Sequence, residues 1–335
     1  MCNKPIERPF IMNPSISKII KLFDSLRYQV VNFGISSCVL ITGESGSGKS
    51  EIAKFYVNKN PIIEESIRTH IPVLHFELKA ISTPVEFLRS LLVTIGDPQV
   101  GMGAKNAGEL FNRLVILIKS TGMELIILDE IQVIIERRSE RVITGLADLF
   151  KDLIKETNIP IVFMGMPWSR YLIDSNSQLK GRISYRYVIP PYRISNQNDR
   201  DDYRRLLKSL ADAYDISKYI KLEELSLALR FFSFSNGNLR TTANLVRDAY
   251  ILSKMNNIRI DIRSFADVVR AYGLSDDYNP FILSIDKLEL RELLVHSDWH
   301  FGYRSDKNSV ISAEFSTYGV TTDKKIYSLK NNHNI

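Results

Sequence analysis

The stretch that decides the fold is Gly43-Glu44-Ser45-Gly46-Ser47-Gly48-Lys49-Ser50, which matches the pattern G-x-x-x-x-G-K-[ST] in full. The apolar run from Cys38 to Thr42 precedes it and suits a buried parallel strand, whereas the apolar spacing after it predicts a helix. Glycines let backbone N–H groups curl round phosphates, and a helix directs the positive end of its dipole at the same anion. The sequence therefore predicts that residues 43–50 form a loop binding the phosphates of a nucleotide.

Lys49 and Ser50 have separate tasks in such a loop. The lysine supplies positive charge to the β and γ phosphates, and the serine hydroxyl ligates magnesium. A glycine-rich turn with an incidental lysine is the alternative, but it requires neither the preceding strand nor the following helix. ATP and Mg²⁺ are the ligands that we expect.

A second acidic motif follows another apolar run, in Leu125-Ile126-Ile127-Leu128-Asp129-Glu130. Asp129 emerges at the carboxyl end of the predicted strand, where parallel sheets bind ligands, and we expect it to hold the magnesium ion. Glu130 would polarise the attacking water, which requires a carboxylate near the γ phosphate. The pair indicates ATP hydrolysis rather than binding alone.

Further apolar runs predict strands at 72–78, 160–165 and 185–189, and helical stretches separate them. This alternation is typical of an α/β fold with a parallel sheet flanked by helices. Pro190-Pro191 ends the pattern, and helices are predicted beyond it at roughly 197–213, 221–233, 238–255 and 262–272. We divide the chain into an N-terminal extension (1–14), an α/β ATPase domain (15–190), a helical lid (191–273) and a C-terminal tail for partner contacts (274–335).

Composition excludes few function classes. The 335 residues are 44% hydrophobic and carry a formal net charge of +6, which permits a nucleic-acid partner without requiring one. Cys2 and Cys38 are the only cysteines, so the sequence indicates no disulfide framework or cysteine-based metal site. No signal peptide or membrane-length apolar stretch is visible, and we expect a cytoplasmic protein without a membrane partner.

These motifs resemble those of the AAA+ ATPases, over roughly residues 10–272. Within that superfamily, Leu128-Asp129-Glu130-Ile131-Gln132 and the short lid look like the TniB/TnsC branch of bacterial transposition regulators, some of them CRISPR-associated. The resemblance implies a ring or helical filament of identical subunits around double-stranded DNA. It also implies transposase subunits and a TniQ-type target-selection protein as partners.

Two arginines match further motifs of the family. The segment Gln178-Leu179-Lys180-Gly181-Arg182-Ile183 is similar to the one that carries the arginine finger, so Arg182 would enter the site of a neighbouring subunit. A solvated basic patch is the alternative reading. Asn236-Gly237-Asn238-Leu239-Arg240 resembles the sensor-two motif, in which Arg240 would contact the nucleotide. The sensor-one position, near Phe163 to Pro167, offers no polar side chain of the usual kind.

The resemblance also places DNA contacts on two loops. One follows the second predicted strand and includes Lys79 and Thr83, and the other spans 96–108 and includes Lys105 and Asn106. Lysine neutralises phosphates and the two polar side chains can donate hydrogen bonds to them, so binding would be salt-sensitive and without strong sequence preference. Solvated surface loops are the alternative.

The sequence thus favours an ATP-dependent regulator that assembles on DNA, recruits a transposase and disassembles on hydrolysis. Two alternatives stay open: a replication initiator or helicase loader, and a defence or signalling NTPase that does not touch DNA. The aromatic residues Trp299, Phe301 and Tyr303 would anchor a partner protein.

Overall fold

The computed structural model describes residues 9–64, 66, 68–79, 83–99, 102–103, 106–136, 139–296 and 313–319. Contacts divide these residues into two compact units. The α/β unit comprises residues 14–189, and the helical unit comprises the described residues 9–13, 190–296 and 313–319. No helix in the described ranges is both long enough and apolar enough to cross a membrane.

The α/β unit alternates strands and helices as the sequence predicts. Its strands are β1 (Cys38–Gly43), β2 (Ile63–Glu64), β3 (Thr69–His70), β4 (Val73–Glu77), β5 (Leu125–Asp129), β6 (Ile161–Gly165) and β7 (Ile183–Ile189). Its helices are α1 (Pro14–Phe33), α2 (Lys49–Lys59), α3 (Pro84–Ile95), α4 (Ala107–Ser120), α5 (Gln132–Glu136), α6 (Glu140–Thr157), α7 (Arg170–Asp174) and α8 (Ser177–Arg182).

Five parallel strands form the sheet of this unit, in the order β4-β5-β6-β1-β7. Every residue of β1, β5 and β6 is buried, because helices cover both faces of a parallel sheet. A row of edge-to-face aromatic rings, Phe76, Phe87, Phe150 and Phe163, runs through the core from strand to helix. The predicted α/β class is confirmed, and the carboxyl ends of β1, β5 and β6 meet at one edge of the sheet.

The helical unit is built from α9 (Gln197–Ala213), α10 (Leu225–Ser235), α11 (Leu239–Met255), α12 (Ile262–Ala271) and the strands β8 (Glu289–His296) and β9 (Ala313–Gly319). The four helices agree with the predicted ones to within a few residues. The strands β8 and β9 form an antiparallel pair that the sequence does not indicate.

Residues 274–296, which we expected to begin a tail, contribute to the core of the helical unit. Phe281 packs against Phe231 and Phe265, with ring centroids 5.1 and 5.5 Å apart respectively. Asn279 is fully buried, and its side chain donates to the carbonyl of Ala266 at 3.0 Å. The described part of the predicted tail is therefore integral to this unit, whereas Trp299, Phe301 and Tyr303 lie outside the described residues.

Glu292 provides a test of this packing. Its buried carboxylate accepts the backbone N–H groups of Ile194 and Ser195, at 2.5 and 2.7 Å, and so ties β8 to the start of the helical unit. We expect Glu292→Ala to lower the free energy of unfolding by roughly 2 kcal/mol, because it leaves two backbone donors without their acceptor. Urea denaturation followed by circular dichroism measures the change.

The matched control is Glu289→Ala on the same strand. Glu289 is exposed and pairs on the surface with Arg291, so its removal should change stability by less than about 0.5 kcal/mol. Equal effects of the two substitutions would contradict the view that residues after Gly273 belong to the core.

Candidate active site

The loop between β1 and α2 has the conformation that its glycines predict. Gly46 and Gly48 have φ values of 81° and 95°, in the left-handed region that side chains with a Cβ rarely adopt. Gly48 is also the N-cap of α2 and provides no side-chain cap. The residue that begins α2 thus offers no side chain to cap its first N–H groups, which is the arrangement that favours an anion at a helix N-terminus.

Lys49 lies at the centre of the loop and is 5% exposed. Its Nζ donates to the carbonyl oxygens of Gly43 and Glu44, both at 2.8 Å, and lies 3.3 Å from the hydroxyl oxygen of Ser47. These contacts hold the ammonium group over the loop, where it can exchange carbonyl partners for phosphate oxygens. The loop is thus a cradle that fits the polyphosphate of a nucleotide.

Asp129 is fully buried at the carboxyl end of β5. Burial opposes its ionisation, yet its pKa lies below the ordinary value because His75, Ser50 and the backbone N–H of Glu130 all stabilise the carboxylate. The Glu130 N–H donates to Asp129 Oδ1 at 2.9 Å, and His75 Nε2 lies 3.5 Å from Oδ2. Asp129 is therefore a carboxylate and not a carboxylic acid at neutral pH.

These groups fit a magnesium ion. Asp129 Oδ2 is buried without a hydrogen bond of normal geometry, and the Ser50 hydroxyl contacts the same carboxylate. A carboxylate and a hydroxyl are hard oxygen ligands, and Mg²⁺ is held in proteins by one or two such groups together with phosphate oxygens and water. The geometry brings together the two residues, Ser50 and Asp129, that the sequence assigns to the metal.

Glu130 is partly exposed and has a backbone φ of 60°, an uncommon conformation for a residue with a side chain. Gln132 Nε2 donates a short hydrogen bond to Glu130 Oε2, and Gln132 Oε1 accepts the backbone N–H of Met166 at 3.1 Å. The carboxylate thus lies just after the carboxyl end of β5, with one oxygen held by an amide. This position suits a group that takes a proton from water.

Sequence reasoning did not single out His75 or Gln132 as functional residues. His75 interrupts the apolar run of β4, and a polar residue inside a buried strand is a signal that could have been used. Gln132 opens a short helix, where a polar residue is ordinary, so its role is visible only from the contacts that it makes with Glu130 and Met166.

Arg182 ends α8, at the amino end of the sheet. Its neighbours Lys180 and Arg186 both pair with Asp174, at 3.6 and 2.9 Å, whereas the Arg182 guanidinium makes no ion pair with any described residue. The next residue, Ile183, is opposite Cys38 at the start of β1, while Gly43 is at the other end of that strand. A strand of this length spans about 17 Å, so Arg182 cannot reach the phosphate-binding loop of its own chain.

Arg240 is exposed in the first turn of α11 in the helical unit. Asn238 caps this helix by accepting the N–H of Thr241 at 3.1 Å. Gly237 has a φ of 77° and packs closely on Tyr192. A Cβ added to Gly237 would lie 2.0 Å from the carbonyl oxygen of Tyr192. The segment that resembles sensor two is therefore closely packed and capped, and the contact of Arg240 with nucleotide stays a prediction.

The four residues predicted to contact DNA have different surroundings. Lys79 is exposed, and Lys105 lies outside the described residues. The side chains of Thr83 and Asn106 are N-caps that accept the N–H groups of Glu86 and Glu109, at 3.1 and 3.0 Å. Both caps have a structural role, which leaves the hydroxyl hydrogen of Thr83 and the amide group of Asn106 as the donors available to a ligand.

The loop that follows α3 is held in place by Arg113. The guanidinium forms an ion pair with buried Asp97 at 3.2 Å and donates to the carbonyl of Met102 at 2.9 Å and to the side chain of Gln99. Thr83 and this loop lie at opposite ends of α3, which spans about 18 Å. The two predicted DNA loops could therefore contact different phosphates but not the same one.

Comparison with known proteins supports this description. The family model described as "Bacterial TniB protein" matches residues 5–192, which is more than half of the chain. No protein with curated annotation shows significant sequence similarity.

Solved structures with a similar fold include the ORC2 protein of Aeropyrum pernix in its ADPNP–ADP complexes, at 15% identity and a TM-score of 0.59, with 80% of this chain and 70% of that chain covered. Cdc6p of Pyrobaculum aerophilum is 13% identical with a TM-score of 0.59 and coverages of 82% and 72%. ORC1 of A. pernix in complex with DNA is 18% identical with a TM-score of 0.55 and coverages of 80% and 67%. At these identities the similarity shows the fold alone, which is that of the AAA+ ATPases.

The contact between His75 and Asp129 leads to a prediction about metal binding. We expect His75→Ala to weaken the binding of ATP in the presence of Mg²⁺ roughly 10-fold, because the residues that orient a metal ligand contribute to its affinity. Binding in EDTA should not change, since His75 contacts no residue of the phosphate-binding loop. Titration with a fluorescent ATP analogue under both conditions measures the effect.

His70→Ala is the matched control. His70 contacts the carbonyl of Thr121 at 3.0 Å and lies 3.8 Å from Glu124. Neither of these residues belongs to the proposed metal site. Its removal should leave the magnesium dependence unchanged, and an equal loss of affinity with and without Mg²⁺ in His75→Ala would contradict a role in metal binding.

Proposed function

We propose that this chain, which belongs to the bacterial TniB family, hydrolyses ATP and uses the nucleotide to control its own assembly on double-stranded DNA during transposition. The observation that carries the proposal is the joining of Lys49, Asp129 and Glu130 at one edge of the sheet. A DNA-bound assembly of this kind would connect a TniQ-type target-selection protein with a transposase, in the bacterial cytoplasm.

Each residue of the site has a step to perform. The N–H groups of the loop and Lys49 bind the phosphates. Ser50 and Asp129 would hold Mg²⁺, which would neutralise phosphate charge when bound. Glu130 orients the attacking water and accepts its proton. Arg182 lies too far from the loop of its own chain to act there, so its role as a finger would be in the site of a neighbouring subunit. Arg240 would report the nucleotide state to the helical unit.

Substitutions of Lys49 and Glu130 should separate binding from hydrolysis. Glu130→Gln should bind ATP and persist as an assembled oligomer, since the phosphate contacts remain while the proton acceptor is lost. Lys49→Ala should fail to bind ATP and to assemble. Both outcomes are measured by ATP-analogue titration together with sedimentation velocity, and an oligomer that forms equally well without nucleotide would contradict the proposal.

The finger role of Arg182 predicts complementation between two inactive variants. Arg182→Ala and Glu130→Gln should each hydrolyse ATP at least about 10³-fold more slowly than the wild type. A mixture should regain activity, because some interfaces combine the intact site of the first variant with the intact Arg182 of the second. Steady-state phosphate release measures both effects.

Arg186→Ala is the matched control for this experiment. Arg186 is the neighbouring arginine on β7, and Asp174 already holds its charge, so its removal should leave hydrolysis unchanged within about 2-fold. A mixture no more active than its components would argue against a site shared between subunits.

DNA binding is tested with ATP, a non-hydrolysable analogue or no nucleotide. Lys79→Ala combined with Lys105→Ala should weaken nucleotide-dependent binding to any duplex and lower the salt slope by roughly 2, one phosphate contact for each lysine. Fluorescence anisotropy at several salt concentrations measures both quantities. The control is Lys54→Ala with Lys59→Ala, because these lysines of α2 pair with Glu51 and Asp24.

The outcome also separates the alternative functions. Nucleotide-dependent assembly that is unchanged by DNA and by the substitutions of Lys79 and Lys105 would indicate a defence or signalling switch. Sequence-specific DNA binding would favour an initiator, a function that the fold shared with ORC1, ORC2 and Cdc6p keeps under consideration. An adjacent transposase gene would favour the transposition regulator.

A further inference from the structure

We propose that Gln132 is a positioning residue for hydrolysis, whose side-chain amide fixes the carboxylate of Glu130 against the end of β6. The inference rests on the proposed function, since it requires that Glu130 acts on the attacking water. It concerns a residue that touches neither nucleotide nor metal in the site described above and acts through Glu130 alone.

The orientation of the amide follows from its two partners. The backbone N–H of Met166 can only donate, and Gln132 Oε1 accepts it at 3.1 Å. The NH₂ group must then face Glu130 Oε2, to which it donates a short hydrogen bond. Gln132 is 6% exposed, so water cannot readily replace either bond. The contact is thus built into the fold and is directional.

The end of β6 is shaped to receive this amide. A Cβ placed on Gly165 would lie 2.6 Å from Gln132 Oε1 and 2.2 Å from Ser169 Oγ, which no real Cβ tolerates. The backbone N–H of Ile131 donates to Met164 at 3.0 Å and fixes the segment from the other side. The Gln132 amide therefore packs against the backbone of Gly165, where there is no side chain. A displacement of β6 would move this amide and with it the carboxylate of Glu130.

Gln132 bonds to Oε2 of Glu130, so Oε1 is the oxygen that would act on water. Asp129 holds the backbone of Glu130 in its left-handed conformation, through the 2.9 Å bond from the Glu130 N–H, while Gln132 holds the side chain. Two anchors leave Oε1 to accept the proton of water in a fixed direction. Because misplacing a reacting group by about 1 Å can cost roughly 100-fold in rate, a free Glu130 side chain would be a poor base.

Gln132→Ala should lower kcat roughly 10- to 100-fold and leave KM and the affinity for a non-hydrolysable ATP analogue within about 2-fold. Gln132→Glu keeps the shape of the side chain and can accept the Met166 N–H, but it replaces the amide donor by a second carboxylate. Its kcat should fall as well near pH 8. Relative to wild type it should recover as the pH is lowered toward about 6, because adjacent carboxylates share a proton readily and the protonated oxygen can donate to Glu130.

Ser169→Ala is the matched control. Ser169 is fully buried and borders the same glycine, but its hydroxyl makes no hydrogen bond with a described residue, so its removal should change kcat less than about 2-fold. Phosphate release by the full chain with DNA and Mg·ATP, at several pH values, measures all three variants, and thermal unfolding verifies that each is folded.

The results distinguish failure of this inference from failure of the proposed function. If the wild-type protein does not hydrolyse ATP, or if Glu130→Gln hydrolyses it as fast as the wild type, both the proposed function and this inference are overturned. Hydrolysis that depends on Glu130 but survives in Gln132→Ala would overturn the positioning role alone. So would a Gln132→Glu variant that binds the ATP analogue as poorly as it hydrolyses ATP, since that pattern indicates a structural role.

Discussion

The burial of one negative charge, on Asp129, is the constraint on which the rest of the structure depends. A carboxylate withdrawn from water is costly unless charges or hydrogen bonds compensate for it. Here the compensation comes from His75 on β4, from Ser50 on α2 and from the backbone that follows β5. These groups are far apart in the sequence, so the carboxylate is stable only when the strands are in their native register. The same register brings together Ser50 and Asp129, the proposed magnesium ligands, so folding and the assembly of the site are one event.

The order of the strands explains why the end of β6 has no polar side chain. β6 lies between β1 and β5, and therefore between the phosphate-binding loop and the acidic pair. Gln132 enters this space from the start of α5 and uses the backbone of Met166 as its partner. A side chain on β6 at Gly165 would compete for the same volume. The absence of a polar group at the sensor-one position, evident from the sequence, thus has a steric cause.

The parts of the site that the sequence predicts are those encoded by adjacent residues. Gly43 to Ser50 and Leu125 to Glu130 each contain a strand, a turn and their functional groups in one stretch, so local patterns are sufficient. His75 and Gln132 act through contacts across strands, which no local pattern specifies. Phe281 and its neighbours were expected in a tail because their spacing has no helical period, although tertiary packing buries them.

Thr83 and Asn106 show a different limit. Each is followed by Glu three residues later, the pattern of a helix N-terminus, and the structure shows both as N-caps. The capping pattern is present in the sequence, whereas the family resemblance implies DNA contacts for the same two residues. A polar residue at a helix start has two readings, and the capping role needs no partner. Lys79 is exposed and is not an N-cap of a described helix, so it is the sounder candidate for a phosphate contact.

The position of Arg182 has a consequence for assembly. The nucleotide site lies at the carboxyl ends of the strands, whereas Arg182 precedes β7 at their amino ends. If Arg182 completes a neighbour's site, the surface at the amino ends of the strands in one subunit meets the surface at their carboxyl ends in another, as in a head-to-tail contact. Such contacts propagate: they give a ring when the rotation between subunits closes and a helical filament when it does not. The proposed ring or filament agrees with this separation of the two ends of β1. It also agrees with the surroundings of Arg182, which makes no ion pair with a described residue, whereas Lys180 and Arg186 both pair with Asp174.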